Sequence, residues 1–246
     1  MTALLSVQSV SKRFRGLLAV DQVSVDVPEG AIFAVIGPNG AGKTTLFNLI
    51  AGAMAPSDGA IAFAGTRIDG MTADAVCRRG LARTFQLVRP FPALSVEDNV
   101  VVGALLHRRD VGAARDHAQS LLRRLDLFDK RGQPASTLTL PDRKRLEVAR
   151  ALATGPRLLL LDEVMAGLRP TETDRMVATL QTLNRETGLT IVLIEHVMRA
   201  VMALASRVLV LDHGTAIAEG APDAVVRDPA VVQSYLGQSQ FETGMA

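Results

Sequence analysis

A glycine-rich segment with one lysine and two threonines, GPNGAGKTT at 37–45, carries the clearest chemical pattern in the sequence. It fits G-x-x-x-x-G-K-[ST] and lies between a strand-like AIFAVI and a helix-like TTLFNLIAG, the context that this motif requires. Glycines let several backbone N–H groups turn toward one anion, and the next helix adds its positive N-terminal end. The pattern predicts a loop that binds the phosphates of a nucleoside triphosphate. Its residues are Gly37, Pro38, Asn39, Gly40, Ala41, Gly42, Lys43, Thr44 and Thr45.

An acidic pair, Asp162-Glu163, follows the buried-strand pattern LLLL much further along the chain. In phosphate-loop proteins a lysine reaches the β- and γ-phosphates, while a hydroxyl and an aspartate hold Mg²⁺. Lys43, Thr44 and Asp162 have the side chains for these roles, with Asp162 acting through water. We therefore expect a nucleoside triphosphate bound together with Mg²⁺.

Alternating and apolar segments predict an α/β fold that positions these residues. The predicted strands are 4–10, 22–27, 31–36, 59–65, 158–161, 190–194, 207–211 and 215–218. Helical periodicity extends over about 72–155, and helices are predicted at 171–186 and 197–205. The order of elements predicts an N-terminal antiparallel β portion and a parallel core that resumes after an insertion. We expect one domain over 1–237, a helical subdomain at about 87–155 and a disordered tail at 238–246.

Composition narrows the class of protein. The 246 residues, 48% hydrophobic, are enough for one large domain. The net charge is only +2 and the basic residues are scattered, so we expect no nucleic-acid partner. Cys77 is the only cysteine, which excludes an internal disulfide framework. No apolar stretch is long enough for a membrane helix, which predicts a cytoplasmic protein that docks on a membrane protein.

Taken together, these features resemble the nucleotide-binding subunit of an ATP-binding cassette (ABC) transporter over nearly the whole chain. The phosphate loop, a glutamine after RTF, a helical segment, the acidic pair and a histidine after the next strand occur in the family's order. The resemblance implies ATP hydrolysis with Mg²⁺ that drives an importer, in contact with membrane-spanning permease subunits on the inner face of the membrane. The chain is most similar to branched-chain amino-acid uptake ATP-binding proteins, through RTFQ at 83–86, LSVEDN at 94–99, IEH at 194–196 and YLG at 235–237.

The same resemblance assigns further roles. Glu163 matches the general base for the attacking water, a role worth roughly 10²- to 10⁴-fold in rate. His196 resembles the switch histidine that contacts the γ-phosphate, and Gln86 resembles the glutamine that touches the metal or the attacking water. Phe14 lies in a polar loop where the family places an aromatic on adenine, and Val20 is expected to pack against the base.

One segment departs from the family. The family's LSGGQ, which clasps ATP held by the opposing subunit, is replaced by LTLPD at 138–142. Thr139 keeps a hydroxyl, but Leu140 obstructs backbone approach, Pro141 removes an N–H donor and Asp142 brings negative charge toward an anion. We expect a poor phosphate clamp. The chain is therefore expected to pair with a second ABC ATPase subunit that has an intact signature, giving one competent and one degenerate site.

Two alternatives stay open at this stage. A soluble ABC ATPase with a regulatory or repair role would use the same cassette, but it usually has two cassettes or a long coiled-coil insertion, and neither is seen. A small-molecule kinase shares the phosphate loop but has no need for Glu163 and His196 after successive strands.

Overall fold

The computed structural model describes residues 3–85 and 90–235. The chain divides into two compact units, whose bounds differ from these ranges. Of the described residues, 3–73 and 192–235 belong to the first unit, and 74–85 and 90–191 belong to the second. Gln86 and the segment 238–246 lie outside the described residues, so the expectations for them stay predictions.

The chain opens with three strands and then combines helices with further strands. In order they are β1 (Ala3–Phe14), β2 (Leu17–Pro28), β3 (Ile32–Ile36), α1 (Lys43–Ile50), β4 (Asp58–Phe63), β5 (Thr66–Arg67), α2 (Ala73–Arg78), β6 (Leu81–Arg83), α3 (Val96–Ala104), α4 (Val111–Arg124), α5 (Leu140–Ala153), β7 (Leu158–Asp162), α6 (Pro170–Thr187), β8 (Thr190–Ile194), α7 (Met198–Leu204), β9 (Arg207–Asp212), β10 (Thr215–Gly220) and α8 (Pro222–Val225).

The first unit contains an antiparallel sheet with the strand order β2-β1-β4-β5, which confirms the predicted N-terminal β portion. Its long strands expose part of their residues and bury the rest, as expected for a sheet with one face on the core. In the same unit β3 pairs with β9 in parallel, and β9 pairs with β10 in antiparallel orientation. All five residues of β3 are buried, which is typical of a strand covered on both faces.

The second unit is mainly helical and includes one parallel pair of strands, β6 and β7. Every residue of β7 is buried, in agreement with its run of leucines. In this unit α3 packs against α4 and α5, and leucine, valine and alanine side chains form the contacts at its core. Strand β8 carries the chain from this unit back into the first.

The structure corrects two expectations from the sequence. Strand β6 lies inside the segment predicted to be helical throughout, because three residues are too few for strand alternation to stand out from the helical periodicity around them. Strand β1 continues beyond residue 10, so Phe14 ends a strand instead of lying in a loop; irregular register along β1 hides its length from pattern analysis. Among the described residues, no helix has the length and hydropathy that crossing a bilayer requires.

Candidate nucleotide site

The loop between β3 and α1 is a tight backbone cradle. Gly37, Gly40 and Gly42 have φ values of 147°, 80° and 97°, a region that glycine adopts readily and other residues rarely do. A Cβ on Gly37 would lie 2.0 Å from the Leu211 carbonyl oxygen, and one on Gly42 would lie 2.3 Å from that of Ala19. Side chains are therefore excluded at Gly37 and Gly42, and the predicted strand, loop and helix occur in the expected order.

Lysine and threonine side chains sit at the start of α1, next to this cradle. The Lys43 ammonium donates to the carbonyl oxygens of Gly37 and Pro38 at 2.7 and 2.8 Å. Asn39 and Thr44 are exposed, so the Thr44 hydroxyl is accessible from solvent. The first turn of α1 carries no acidic residue that would compete with an anion for the positive end of the helix dipole.

Phe14 and Val20 were both expected to contact an adenine, but the structure exposes the first and buries the second. Phe14 ends β1 with 42% of its surface exposed, and the Lys12 amine lies 5.4 Å from its ring centroid. Val20 in β2 is fully buried, with 0% exposed. Its side chain has no free surface for a base, so the expectation for Val20 is corrected: it packs in the core.

Asp162 ends β7 and forms a buried ion pair in the second unit. Its Oδ2 accepts a hydrogen bond from Arg83 Nη2 at 2.8 Å, and the two side chains are only 1% and 7% exposed. The Asp162 N–H donates to the Thr84 hydroxyl at 3.1 Å. Asp162 Oδ1 is buried and has no hydrogen-bond partner among the described residues. Sequence analysis missed the role of Arg83, because a pair 79 residues apart leaves no local pattern.

Glu163, the next residue, has a left-handed backbone conformation with φ of 50°. Such a conformation is unfavourable for a residue with a side chain and is concentrated at functional sites. The buried Lys144 amine donates to the Glu163 carbonyl oxygen at 2.8 Å, and the Ala166 N–H donates to it at 3.2 Å. These two contacts hold the backbone in place, so the loop fixes the direction in which the Glu163 side chain leaves the backbone.

His196 follows β8 in the first unit and is exposed. It comes directly after Glu195, which is buried, and two residues before the start of α7 at Met198. The end of a buried strand therefore presents the imidazole to solvent at a defined position.

The polar side chains of the LTLPD segment bond to each other and to neighbouring basic side chains instead of presenting donors to a phosphate. Thr139 precedes the first residue of α5, and its hydroxyl donates to Asp142 Oδ2 at 2.7 Å. The Lys130 ammonium bonds to the same oxygen, and Arg145 lies 3.7 Å from the other. The Thr-x-x-Asp spacing places the two side chains one helical turn apart, and it is the sequence signal that could have predicted this contact.

The charge of Asp142 is compensated within this cluster. Burial raises the pKa of its carboxyl, but the hydrogen bonds from Lys130 and Thr139, with the nearby Lys130 and Arg145 charges, outweigh burial and leave the pKa below its ordinary value. The Asp142 carboxylate is only 6% exposed, so it does not face an incoming anion as expected from the sequence. The Thr139 hydroxyl, expected to remain as a phosphate donor, is already used.

The glycine cradle between a buried parallel strand and a helix places the chain in the class of P-loop nucleotide-binding proteins. A family model described as ABC transporter matches residues 20–166, more than half of the chain, so the chain belongs to the ABC transporter family. It is accordingly an ABC ATPase, which confirms the resemblance seen in the sequence. A second family model, branched-chain amino acid ATP-binding cassette transporter, matches residues 217–239.

Similar proteins agree over the full length of the chain. The high-affinity branched-chain amino acid transport ATP-binding protein BraF of Pseudomonas aeruginosa is 37% identical over 96% of this chain and 98% of its own length. The corresponding protein LivG of Escherichia coli K12 is 38% identical with the same coverage. A crystal structure of the ADP conformation of an ATP-binding cassette superposes with a TM-score of 0.88 at 28% identity, covering 96% of this chain and all of that one. These similarities support an importer subunit and not the soluble alternative.

Proposed function

We propose that this chain is the ATP-hydrolysing subunit of an importer for branched-chain amino acids or related small solutes, held on the inner face of the membrane by permease subunits. The observation that carries the proposal is the full-length similarity to BraF and LivG, whose names describe branched-chain amino-acid transport. The match of a branched-chain amino acid cassette model to 217–239 supports the same solute class.

ATP is proposed to bind at the phosphate loop, with each residue of the loop in the role that its chemistry suits. The glycine N–H groups and the start of α1 would hold the phosphates, and Lys43 would exchange its carbonyl partners for phosphate oxygens. Phe14 offers an exposed ring for the adenine. His196 is proposed to contact the γ-phosphate and Glu163 to accept the proton of the attacking water.

The residues present also fit Mg²⁺, which binds oxygen ligands. Asp162 Oδ1 is a buried carboxylate oxygen without a hydrogen-bond partner in the described part of the chain, and Thr44 has an accessible hydroxyl. These two side chains would hold the ion, Asp162 through water, and Gln86 is proposed to touch it. When bound, Mg²⁺ neutralises charge on the β- and γ-phosphates.

Replacing one carboxylate tests the catalytic assignment. Glu163→Gln keeps the size of the side chain but cannot accept a proton, so ATPase activity should fall by roughly 10²- to 10⁴-fold while ATP binding persists. Glu186→Gln is the matched control, because Glu186 is exposed and paired with Arg124. Uptake of labelled leucine by vesicles that contain the permease and this chain should fall with the ATPase activity. Undiminished turnover in Glu163→Gln contradicts the assignment, and ATP-driven import of other solutes alone contradicts the solute class.

The assembly is proposed to be a heterodimer with a second ABC ATPase subunit that has an intact signature. The support is the cluster around Asp142: the hydroxyl of Thr139 is used within it, Pro141 has no N–H, and Leu140 is exposed where a phosphate would need close approach. A homodimer would hold two weakened sites. A heterodimer keeps one site that combines the phosphate loop of this chain with the signature of its partner.

Restoring the signature tests this proposal more sharply than deleting it. The triple variant L140G/P141G/D142Q rebuilds a glycine-containing clamp and should raise the ATPase rate of this chain alone, and adding Glu163→Gln should abolish the gain. The unmodified chain should hydrolyse ATP slowly alone and faster with its partner ATPase. Full activity of the unmodified homodimer would contradict the proposal.

The permease is proposed to dock in an apolar groove of the second unit. Phe85, Phe91 and Val102 line this groove and are each exposed, around a cavity of about 210 Å³. The Arg150 guanidinium lies 5.0 Å from the Phe91 ring centroid and bonds to Glu147 at 2.8 Å, so it stiffens one wall. Exposed aromatic residues on a chain without a membrane-spanning helix in its described part favour a protein partner.

A surface substitution tests the docking site. Phe91→Ser should weaken co-purification with the permease and reduce permease-coupled ATPase activity, while the basal rate of the isolated chain is unchanged. Val111→Ser, at an apolar residue on α4 that is even more exposed than Phe91, serves as the control. Normal co-purification of Phe91→Ser would exclude this groove.

A further inference from the structure

Lys144 is a buried lysine in the second turn of α5, and none of the roles proposed above uses its charge. Only 4% of its surface is exposed. Lysine is almost never buried to this extent unless its ammonium is paired, because taking the charge out of water is costly. The ammonium donates to the Glu163 carbonyl oxygen at 2.8 Å. A buried charge on the backbone of the proposed general base indicates a role at that residue.

The Glu163 carbonyl that Lys144 contacts belongs to a tight turn. Glu163 has the left-handed φ of 50°, and its carbonyl also accepts from the Ala166 N–H at 3.2 Å. Between them, Val164 and Met165 are 2% and 1% exposed, so packing anchors the apolar side of the turn. The bond from Lys144 restrains the peptide group that follows the Glu163 Cα. It therefore restrains the direction in which the side chain leaves the backbone.

The start of α5 meets the same turn at a second point. A Cβ on Gly167 would lie 3.1 Å from Leu140 Cδ2, and Leu140 is the first residue of α5. Helix α5 also packs against β7, which ends directly before Glu163. The helix thus supports the segment around Glu163, and Lys144 supplies a charged hydrogen bond between the two.

We propose that Lys144 is a positioning residue for ATP hydrolysis, which holds the Glu163 backbone so that the carboxylate can accept the proton of the attacking water. The proposal deepens the function proposed above and rests on Glu163 as the general base. Lys144 acts through the Glu163 carbonyl and is assigned no contact with ATP or with the attacking water. Its loss should therefore lower kcat and leave the affinity for ATP unchanged.

Replacing Lys144 by methionine removes the donor and keeps an unbranched side chain of similar length. The fold should persist, because the buried charge goes with the donor and the Ala166 N–H still bonds to the Glu163 carbonyl. A displacement of about 1 Å can cost 10²-fold in rate, so kcat of the assembled transporter should fall by roughly 10- to 100-fold. The KM for ATP, and the Kd measured by calorimetry, should stay within about twofold of the wild type.

Matched variants separate positioning from a general effect on structure. Lys144→Arg keeps a cationic donor and should restore most of kcat. Arg131→Met removes a cation that donates to the Phe128 carbonyl at 3.2 Å in an exposed turn, and it should leave kcat unchanged. In the Glu163→Gln background, Lys144→Met should cause no further loss, because the group through which it acts is already gone. If urea unfolding shows that Lys144→Met is not folded, Lys144→Gln, which keeps a neutral donor on a shorter side chain, replaces it with a smaller loss of kcat expected.

Hydrogen exchange gives a readout that does not depend on turnover. In the full chain without nucleotide, the amides of residues 163–167 should exchange faster in Lys144→Met than in the wild type, because the turn loses a hydrogen bond to the Glu163 carbonyl. Lys144→Arg should exchange like the wild type. Wild-type exchange in Lys144→Met would overturn the proposal.

The kinetic outcomes distinguish this proposal from the one on which it rests. If the chain binds no ATP, or if Glu163→Gln hydrolyses ATP at the wild-type rate, the proposed function itself fails. If Glu163→Gln is inactive but Lys144→Met has the wild-type kcat, the positioning role is overturned and the proposed function stands. An equal further loss in the Glu163→Gln background, or weaker ATP binding at constant kcat, also overturns the positioning role.

Discussion

The buried ion pair between Arg83 and Asp162 gives the most direct test of how the second unit is held together. Replacing Arg83 by methionine keeps an unbranched chain of similar length but leaves the Asp162 carboxylate without its cation. The pair is 2.8 Å apart with side chains 7% and 1% exposed, so water cannot replace the missing guanidinium. Asp162 Oδ1 already has no hydrogen-bond partner among the described residues, so the variant would leave both oxygens poorly satisfied.

Removing one partner of a buried pair typically costs about 3–5 kcal/mol, mostly as the penalty of an uncompensated buried charge. Against a typical total stability of about 5–15 kcal/mol, this is a large fraction. For an m-value of about 2–3 kcal/mol per molar urea, the unfolding midpoint should fall by about 1–2.5 M.

Urea unfolding of Arg83→Met should therefore show this fall, and the double variant Arg83→Met/Asp162→Asn should recover much of it because the buried charge is gone. Arg78→Met is the matched control: Arg78 and Asp74 are 3.4 Å apart but 63% and 67% exposed, so little change is expected. A wild-type midpoint for Arg83→Met, or no recovery in the double variant, would refute the argument from burial.

Three further substitutions probe the loop, the closed signature and the second unit. Gly37→Ala should weaken ATP binding at least tenfold by calorimetry, because its Cβ would lie 2.0 Å from a backbone oxygen, whereas Gly16→Ala, with open space around its Cβ, should bind normally. The lowered pKa of Asp142 means that its charged form stabilises the fold at neutral pH and that this contribution is lost as the pH falls below the ordinary value of 3.8. Urea unfolding should show a stability gap between wild type and Asp142→Asn that is constant at neutral pH and shrinks in acid; a constant gap would contradict the charge argument. Asn99→Ala should destabilise the chain by about 1–3 kcal/mol in the same assay, because the buried Asn99 amide is hydrogen-bonded to both backbone groups of Phe91, and a wild-type midpoint would contradict this.

Much of the fold could be predicted because burial leaves a clear trace in the sequence. Strands β3, β7 and β8 bury all their residues and each therefore contains a run of at least four consecutive apolar residues. The phosphate loop was predictable because its glycines are required by backbone geometry at fixed spacing.

Other features depend on tertiary contacts that no local pattern encodes. Strand β6 exists because Leu81 pairs with Leu158, and three residues alone do not specify it. The partner of Asp162 was hidden for the same reason, since Arg83 comes from a distant strand. Val20 was assigned to the base because it is apolar and near Phe14 in the chain, but apolar residues are more often buried than exposed to a ligand.

At Glu163, the residue that would best stabilise the left-handed backbone is not the residue that ATP hydrolysis needs. A non-glycine residue in that region costs about 1–2 kcal/mol, which glycine would not incur. Glycine at this position would also retain the carbonyl that Lys144 and Ala166 grip. A variant library selected only for thermal stability should therefore enrich Glu163→Gly, which is more stable but inactive. Directed evolution of a more stable transporter must also select for growth on the imported solute at every round.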